Sequence, residues 1–277
     1  MQQPLTTLLC LALAAAAAPQ QATQPATGPA TQPSTQQAGG GEERRAMEDA
    51  GRFVMEYHRA PQPQRVPGIV ATMSRAGFLS ARGGEVGPAA GFLRTVFAQQ
   101  DAETLKQWAA GFAQLPSEDQ ATLATMLWAA DTNAAREAMA SLSAQGHASV
   151  ANRVAELSQR RPLPLVEVDL DSPDVLDALW GGWFASGDGR YVRRITEAMP
   201  LLDTMDPSDR ARRPTEEEMA RYVVGGAARW SLTSNAIQDE RVLEVLEAAQ
   251  GDASPAVARH LREVIETARL ERRVRGG

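Results

Sequence analysis

Residues 179–191, LWGGWFASGDGRY, are the most informative part of the sequence and predict one helical hairpin. Trp180 and Trp183 are three positions apart, so both indoles fall on the same face of a helix. The apolar run stops at residues 187–189, Gly-Asp-Gly, which predict a turn. A second amphipathic stretch starts directly after it, and the segment therefore predicts two helices joined by a tight connection.

Two adjacent glycines lie inside the first of these predicted helices. Gly181 and Gly182 each cost about 1 kcal/mol relative to alanine in a helix interior. We therefore expect that a neighbouring helix or a ligand approaches this helix closely at that point.

The aromatic side chains around these glycines have two interpretations. The first is that the indoles are core residues of the hairpin, as large aromatic residues at helical spacing usually are. The second is a concave aromatic surface with arginines at its rim, since aromatic residues and arginine are frequent interface anchors. The candidate binding residues under the second interpretation are Trp180, Trp183, Asp188, Tyr191, Arg193, Arg194 and Trp230.

The chain on either side of the hairpin has the same helical character. From Glu42 onward apolar residues recur with a period of 3.6, and only residues 165–168 resemble a strand. Two connections are longer than the others, at 160–171 and 200–214. The predicted helices are 43–59, 64–76, 88–99, 101–114, 117–130, 132–144, 147–159, 172–186, 189–199, 215–231, 237–250 and 255–273.

Several of these helices begin with recognisable capping residues. Ser117 with Gln120, and Thr215 with Glu218, have the spacing of a capping box. The dipeptides at 172–173 and 254–255 place a serine at the N-cap and a proline at the first helical position. Further on, Gly225-Gly226 is expected to permit close helix packing.

Short loops between amphipathic helices predict an all-α fold of stacked antiparallel helical hairpins, a short α-solenoid. A globular helical bundle is the alternative. The segment 254–268 resembles the second half of a HEAT-type repeat, because Val257, Leu261, Val264, Ile265 and Ala268 line one face after a Ser-Pro start. With residues 234–250 before it, this resemblance covers the C-terminal part of the chain and implies hairpins that present an extended surface.

The first forty-one residues differ in composition from everything that follows. Residues 1–18 end in an apolar, alanine-rich run that resembles a signal peptide, with cleavage expected after Ala17. The run is too short to span a bilayer comfortably. Cys10, the only cysteine, lies inside the run, where lipidation is not expected.

Residues 19–41 contain Gln, Thr, Pro, Ala and Gly in abundance and are expected to be a disordered linker. The chain thus divides into a signal peptide, this linker and an all-helical domain over 42–277, with a possible joint near 160–171. We expect a periplasmic or secreted protein with no transmembrane span in its mature form.

The formal net charge of −6 belongs entirely to the predicted domain, because residues 1–41 contain no charged side chain. An acidic domain argues against nucleic acid as a partner, since phosphate binding requires a concentrated basic surface.

The sequence contains no recognisable catalytic motif. His58, His147 and His260 are far apart and have no metal-ligand spacing, so no metal and no cofactor are predicted. A cell-wall lyase or glycosidase would need a pair of carboxylates, and the candidates are Glu197 with Asp203 or with Asp188.

These observations favour a non-catalytic protein-binding or scaffolding module of the bacterial cell envelope, with another envelope protein as partner. The alternatives are a cell-wall hydrolase or lyase, and a helical protein that binds a small ligand between its helices.

Overall fold

The computed structural model describes residues 39–79, 87–205 and 213–276. The predicted signal peptide and nearly all of the predicted linker lie outside these ranges. The first helix begins at Gly39, three residues inside the predicted linker.

The described ranges contain α-helices and short 3₁₀ turns, without any strand. The all-α prediction is therefore confirmed. The α-helices are α1 (Gly39–Glu56), α2 (Val66–Arg75), α3 (Pro88–Ala98), α4 (Ala102–Phe112), α5 (Ser117–Ala129), α6 (Asn133–Gln145), α7 (Ala148–Leu157), α8 (Pro173–Ser186), α9 (Gly189–Thr196), α10 (Glu216–Gln238), α11 (Glu240–Gln250) and α12 (Pro255–Gly276).

The predicted junction between α10 and α11 is wrong for an identifiable reason. Helix α10 continues to Gln238 rather than ending near 231, because Leu232 and Ala236 are fully buried and hold its last turns against the core. Asp239 alone joins α10 to α11, and its carboxylate accepts a hydrogen bond from the Arg241 amide at 3.0 Å. Residues 165–167, the strand candidate, form a 3₁₀ turn.

Some of the predicted helix caps are present and others are not. Thr215 and Glu218 form the predicted capping box of α10, and the Ser254 hydroxyl accepts from the Val257 amide at 3.4 Å. The Ser172 side chain makes no capping hydrogen bond, although α8 begins at Pro173 as predicted.

The capping box predicted at the start of α5 is absent. Instead, the Gln120 amide group donates to the carbonyl oxygens of Ala113 and Leu115 at 3.0 and 2.7 Å. Its oxygen accepts from the His147 amide at 3.0 Å. This side chain therefore connects the α4–α5 loop to the start of α7 rather than capping its own helix.

Helix α8 is the centre of the molecule. Ten of its residues, from Val175 to Ala185, are buried. It packs along α3 over much of its length and contacts α9, which follows it directly in the sequence. It also contacts α1 and α10, which come from distant parts of the sequence. Between residues 102 and 157 the packing is more local, because α4 pairs with α6 and α5 with α7.

The last three helices form a second packed group. Helix α10 lies against α11, α12 and the 3₁₀ turn at Met199–Thr204. The five apolar residues that carried the HEAT-type resemblance on α12 are all buried, so they share one face as expected. Within the described ranges, no helix combines the length and apolar character needed to cross a bilayer.

Candidate functional site

The two central tryptophans belong to the core. Trp180 and Trp183 are 4% and 1% exposed. Trp180 stacks on Phe184 with ring centroids 6.0 Å apart, and the imidazole of His58 lies 5.4 Å from the Trp183 ring. The structure thus supports the core interpretation of these indoles, and they form no exposed aromatic surface.

The adjacent glycines of α8 are explained by close helix packing. A Cβ at Gly181 would overlap the Pro88 carbonyl oxygen and lie 2.6 Å from the Phe92 nitrogen. A Cβ at Gly182 would lie 2.8 Å from the ring of Tyr191. The expected close approach is confirmed, and the neighbour is α3 on one side and the Tyr191 ring on the other.

The predicted close packing at the second glycine pair also exists. A Cβ at Gly225 would lie 2.5 Å from the Leu202 backbone nitrogen. The backbone of the 3₁₀ turn at Met199–Thr204 therefore packs directly against α10 at this glycine.

The turn between α8 and α9 is built around Asp188. Gly187 ends α8 with a φ of 67°, a left-handed conformation that favours glycine. The Asp188 carboxylate accepts from the Arg190 amide at 2.9 Å and from the Arg190 Nε at 2.8 Å. Burial acts to raise the pKa of Asp188, but the hydrogen bonds and charge of Arg190 outweigh it and hold this pKa below its ordinary value.

Asp188 and Tyr191 line a cavity of about 360 Å³ at this corner. The other walls come from α3, from the corner between α5 and α6, and from the joint at 160–171. Of the seven candidate binding residues, these two are the only pair that the structure places in this cavity.

The two arginines predicted at a rim have different environments. Arg193 is exposed on α9. The Arg194 Nη2 donates to the Val168 carbonyl at 2.9 Å, and its Nη1 pairs with Glu197. Arg194 therefore holds the joint at 160–171 against α9.

Two further donors fix the same joint. The Trp128 Nε1 donates to the Arg160 carbonyl at 3.2 Å. The Arg94 Nη2 donates to the Leu163 carbonyl at 2.9 Å. Because three side chains from α3, α5 and α9 bind its backbone, the joint is a fixed wall of the cavity.

Trp230 lies away from the buried tryptophans, on the outward side of α10. It is 49% exposed, and Met219, Tyr222 and Val223 are exposed on the same helix. Positions 219, 222, 223 and 230 fall on one side of a helix. We call these four residues the outer face of α10.

No family model, curated protein or solved structure matches this chain. Function must therefore be inferred from the cavity, from the outer face of α10 and from the ionisable groups.

The three carboxylates considered for cell-wall chemistry are each paired with a different arginine. Glu197 pairs with Arg194, Asp188 with Arg190, and Asp203 with Arg259. Asp203 also lies 3.2 Å from the Nε2 of His260. In the part of the chain that the structure describes, no three His, Cys, Asp or Glu side chains are grouped to hold a metal ion.

Sequence reasoning missed Arg94, which lines the cavity from the middle of α3. The signal was present, because Arg94 is the only charged residue between positions 87 and 100. A lone arginine in an apolar helix indicates a buried or partly buried guanidinium with a specific partner.

Proposed function

We propose that this chain is a non-catalytic protein-binding module of the bacterial cell envelope, exported to the periplasm or secreted. We further propose that its partner is another envelope protein, which docks an amphipathic helix on the outer face of α10. The observation that carries this proposal is the exposure of Met219, Tyr222, Val223 and Trp230 on one side of one helix.

The outer face lies on the side of α10 that points away from the core. The opposite side of α10 carries Val224, Ala228, Leu232 and Ala236, which are buried against the rest of the domain. An ordinary surface helix is polar on its outward side. Helix α10 has large apolar residues on both sides, which favours an additional partner.

The clustering of exposed apolar side chains on α10 also favours a partner. Seven large apolar side chains are exposed in the described ranges, and four of them belong to α10. Single exposed apolar residues are normal, whereas a contiguous group marks an interaction surface. From position 219 to 230 the outer face extends about 16 Å along the axis, which matches three turns of a partner helix.

The charges beside the outer face indicate the partner's polarity. A groove of about 570 Å³ adjoins Met219 and Val223 and is also lined by Asp171 and Glu216. Neither carboxylate forms an ion pair with a residue in the described ranges. A partner helix with an apolar ridge and a lysine or arginine opposite these carboxylates fits this surface best.

The export half of the proposal rests on residues 1–18 and on the uncharged stretch that follows them. The non-catalytic half is supported by the arginine partners of Glu197, Asp203 and Asp188, because none of these three carboxylates is free for glycoside chemistry.

The test is site-specific photocrosslinking in intact cells. p-Benzoylphenylalanine replaces Tyr222 on the outer face, and in a matched control it replaces Leu270, which is exposed on α12. We expect one envelope protein to be crosslinked in high yield from position 222 and not from position 270. The purified partner is then expected to bind a Trp230→Ala variant more weakly by about tenfold or more.

Three outcomes would overturn the proposal. Equal labelling from both positions would mean that the outer face is not a specific surface. A crosslinked homodimer would make a second copy of this chain the occupant. An uncut leader on a protein retained in the cytoplasm would contradict export, and N-terminal sequencing of the mature chain decides that point.

A further inference from the structure

The cavity at the corner between α8 and α9 contains an unusual cation. Arg94 lies in α3, and its Nη2 donates to two backbone carbonyls, those of Ala129 and Leu163, both at 2.9 Å. Neither acceptor carries a charge. No carboxylate in the described ranges lies within ion-pair distance of this guanidinium, and its Nη1 and Nε have no hydrogen-bond partner there.

The environment of Arg94 disfavours its charge. Burial is the largest influence on the Arg94 pKa and lowers it, while Tyr191 and Asp131 act in the opposite direction. A partly buried guanidinium is most favourable when an anion accepts its remaining N–H groups. The described residues do not supply one in contact with it.

Both carboxylates that line the cavity are already bound to other arginines. Asp131 accepts from the Arg136 Nη1 at 2.8 Å. Asp188 is bound by Arg190 through Nε at 2.8 Å and through Nη2 at 2.7 Å. In each pair the charge of the carboxylate is compensated by its arginine. Arg94 therefore remains as one positive charge at the cavity without a carboxylate in contact.

Two residues with hydroxyl groups line the same cavity as Arg94. They are Tyr191 and Thr95, and their hydroxyl oxygens are 3.5 Å apart, at the outer limit of a hydrogen bond. Thr95 follows Arg94 in the sequence, on the next position of α3. A guanidinium with neighbouring hydroxyl donors is a common arrangement for binding a carboxylate.

One wall of the cavity is formed by apolar residues. Leu163, Pro164, Leu165 and Val166 line it, and the Leu163 carbonyl is held by Arg94. A volume of about 360 Å³ is at the small end of ligand sites and equals about twelve water molecules in the liquid. The space therefore fits a small group with one anionic end and a short apolar body.

We propose that this cavity binds an organic carboxylate, with its two oxygens on the free N–H groups of Arg94 and on the Tyr191 hydroxyl, and its apolar body against residues 163–166. The carboxylate is either that of a free short-chain acid or the C-terminal group of a peptide. This site is separate from the outer face of α10 and does not depend on the function proposed for that surface.

The first test is titration calorimetry with two small probes of equal shape, 4-methylpentanoate and 4-methylpentanamide. We expect the carboxylate to bind and the amide to bind at least about tenfold more weakly, since hydrogen bonds to charged groups are the stronger ones. A peptide that ends in Ala-Leu with a free carboxylate, compared with its C-terminal amide, distinguishes the peptide source from the free acid.

The variants locate the binding. Arg94→Gln removes the charge and is expected to weaken carboxylate binding by about tenfold or more. Tyr191→Phe removes only the hydroxyl and keeps the ring against Gly182, so a smaller loss of about three- to tenfold is expected. Arg65→Gln is the matched control, because Arg65 is exposed and pairs with Asp49 on α1, and it is expected to bind as the unmodified protein does.

The design remains decisive if Arg94→Gln does not fold. Tyr191→Phe and the comparison of acid with amide then test the same contacts. Amide chemical shifts of Thr95, Ser186 and Tyr191 are expected to move on titration with 4-methylpentanoate. Equal affinity for acid and amide, binding that is unchanged in Tyr191→Phe with no shift at these amides, or no binding of either carboxylate probe would each overturn the proposal.

Discussion

Gly181 on α8 and Phe92 on α3 are in backbone contact, and a Cβ at Gly181 would lie only 2.6 Å from the Phe92 nitrogen. The relationship is reciprocal, because a Cβ at Gly91 would overlap the carbonyl oxygen of Ala178. Helices α3 and α8 therefore cross at glycines. This crossing places α3, and with it Arg94, beside the corner that carries Asp188 and Tyr191.

Replacing Gly181 by alanine is expected to destabilise the domain despite alanine's higher helix propensity. The added methyl group forces α3 and α8 apart, and overpacking of this kind costs about 1–3 kcal/mol. Denaturant unfolding followed by far-UV circular dichroism measures the free energy of unfolding. Gly111→Ala on α4 is the control, because a Cβ there meets nothing within 4 Å and is expected to stabilise by up to about 1 kcal/mol.

Trp183 and Trp230 are expected to respond in opposite ways to truncation. Trp183→Ala leaves a cavity beside His58 and should lower the free energy of unfolding by about 3–5 kcal/mol. Trp230→Ala removes an exposed side chain and should change it by no more than about 0.5 kcal/mol. Near-wild-type melting of Trp183→Ala would contradict the core position of this indole.

His58 is expected to make the stability of the domain dependent on pH. Its side chain is fully buried, and its ring nitrogens make no hydrogen bond of normal geometry with the described residues. Burial lowers the His58 pKa; Asp239 and the Phe184 backbone oppose this, whereas Arg241 and Arg59 add to it. The Asp239 carboxylate is 3.9 Å from the ring and is bound by Arg59 at 2.8 Å, so it does not compensate fully for burial.

The sign of the pH effect follows from this lowered pKa. The unfolded chain takes up a proton on His58 near pH 6.5, whereas the folded chain resists it. The stability contributed by the neutral imidazole is present above that pH and is lost as pH falls towards the folded pKa.

The measurement is the free energy of unfolding at about pH 7.5 and about pH 5.5, on either side of the histidine range. His58→Leu should reduce the difference between the two values. His147→Asn is the control, since His147 is exposed and an asparagine preserves the side-chain acceptor that caps α7. Identical pH dependence in His58→Leu and the unmodified protein would contradict the assignment.

Thr215 and Ser172 each directly precede a helix, but only the Thr215 side chain caps the helix that follows it. Thr215→Ala removes the capping box of α10 and is expected to cost about 1 kcal/mol. Ser172→Ala removes no capping hydrogen bond and is expected to change stability by less than about 0.5 kcal/mol. Thermal melting of the two variants side by side checks this, and equal losses would show that Ser172 also caps its helix.

Much of the helical framework was predictable because its signals are local. The hairpin at 179–191, the capping box at Thr215 and the stop at Gly187 each depend on residues within one or two turns. The capping prediction at Gln120 failed because groups outside its own helix bind the same side chain. Gln120 has the spacing of a capping box, yet it bonds to the Ala113 and Leu115 carbonyls and to the His147 amide.

The candidate site was only partly predictable for the same reason. Asp188 and Tyr191 were chosen from their turn and do line the cavity, whereas Arg94 is more than ninety positions away in the sequence and was missed. Trp180, Trp183 and Trp230 are chemically equivalent in the sequence. Their burial depends on which helices surround α8 and on which side of α10 faces solvent.

The helical class, the positions of most helices and the close packing at Gly181-Gly182 can be read from the amino-acid sequence, because periodicity, capping and glycine content act over a few residues. The core position of the paired indoles, the exposure of Trp230 and the approach of Arg94 to the corner at Asp188 are visible only in the folded molecule. Those outcomes depend on contacts between segments far apart in the chain, which local residue preferences do not encode.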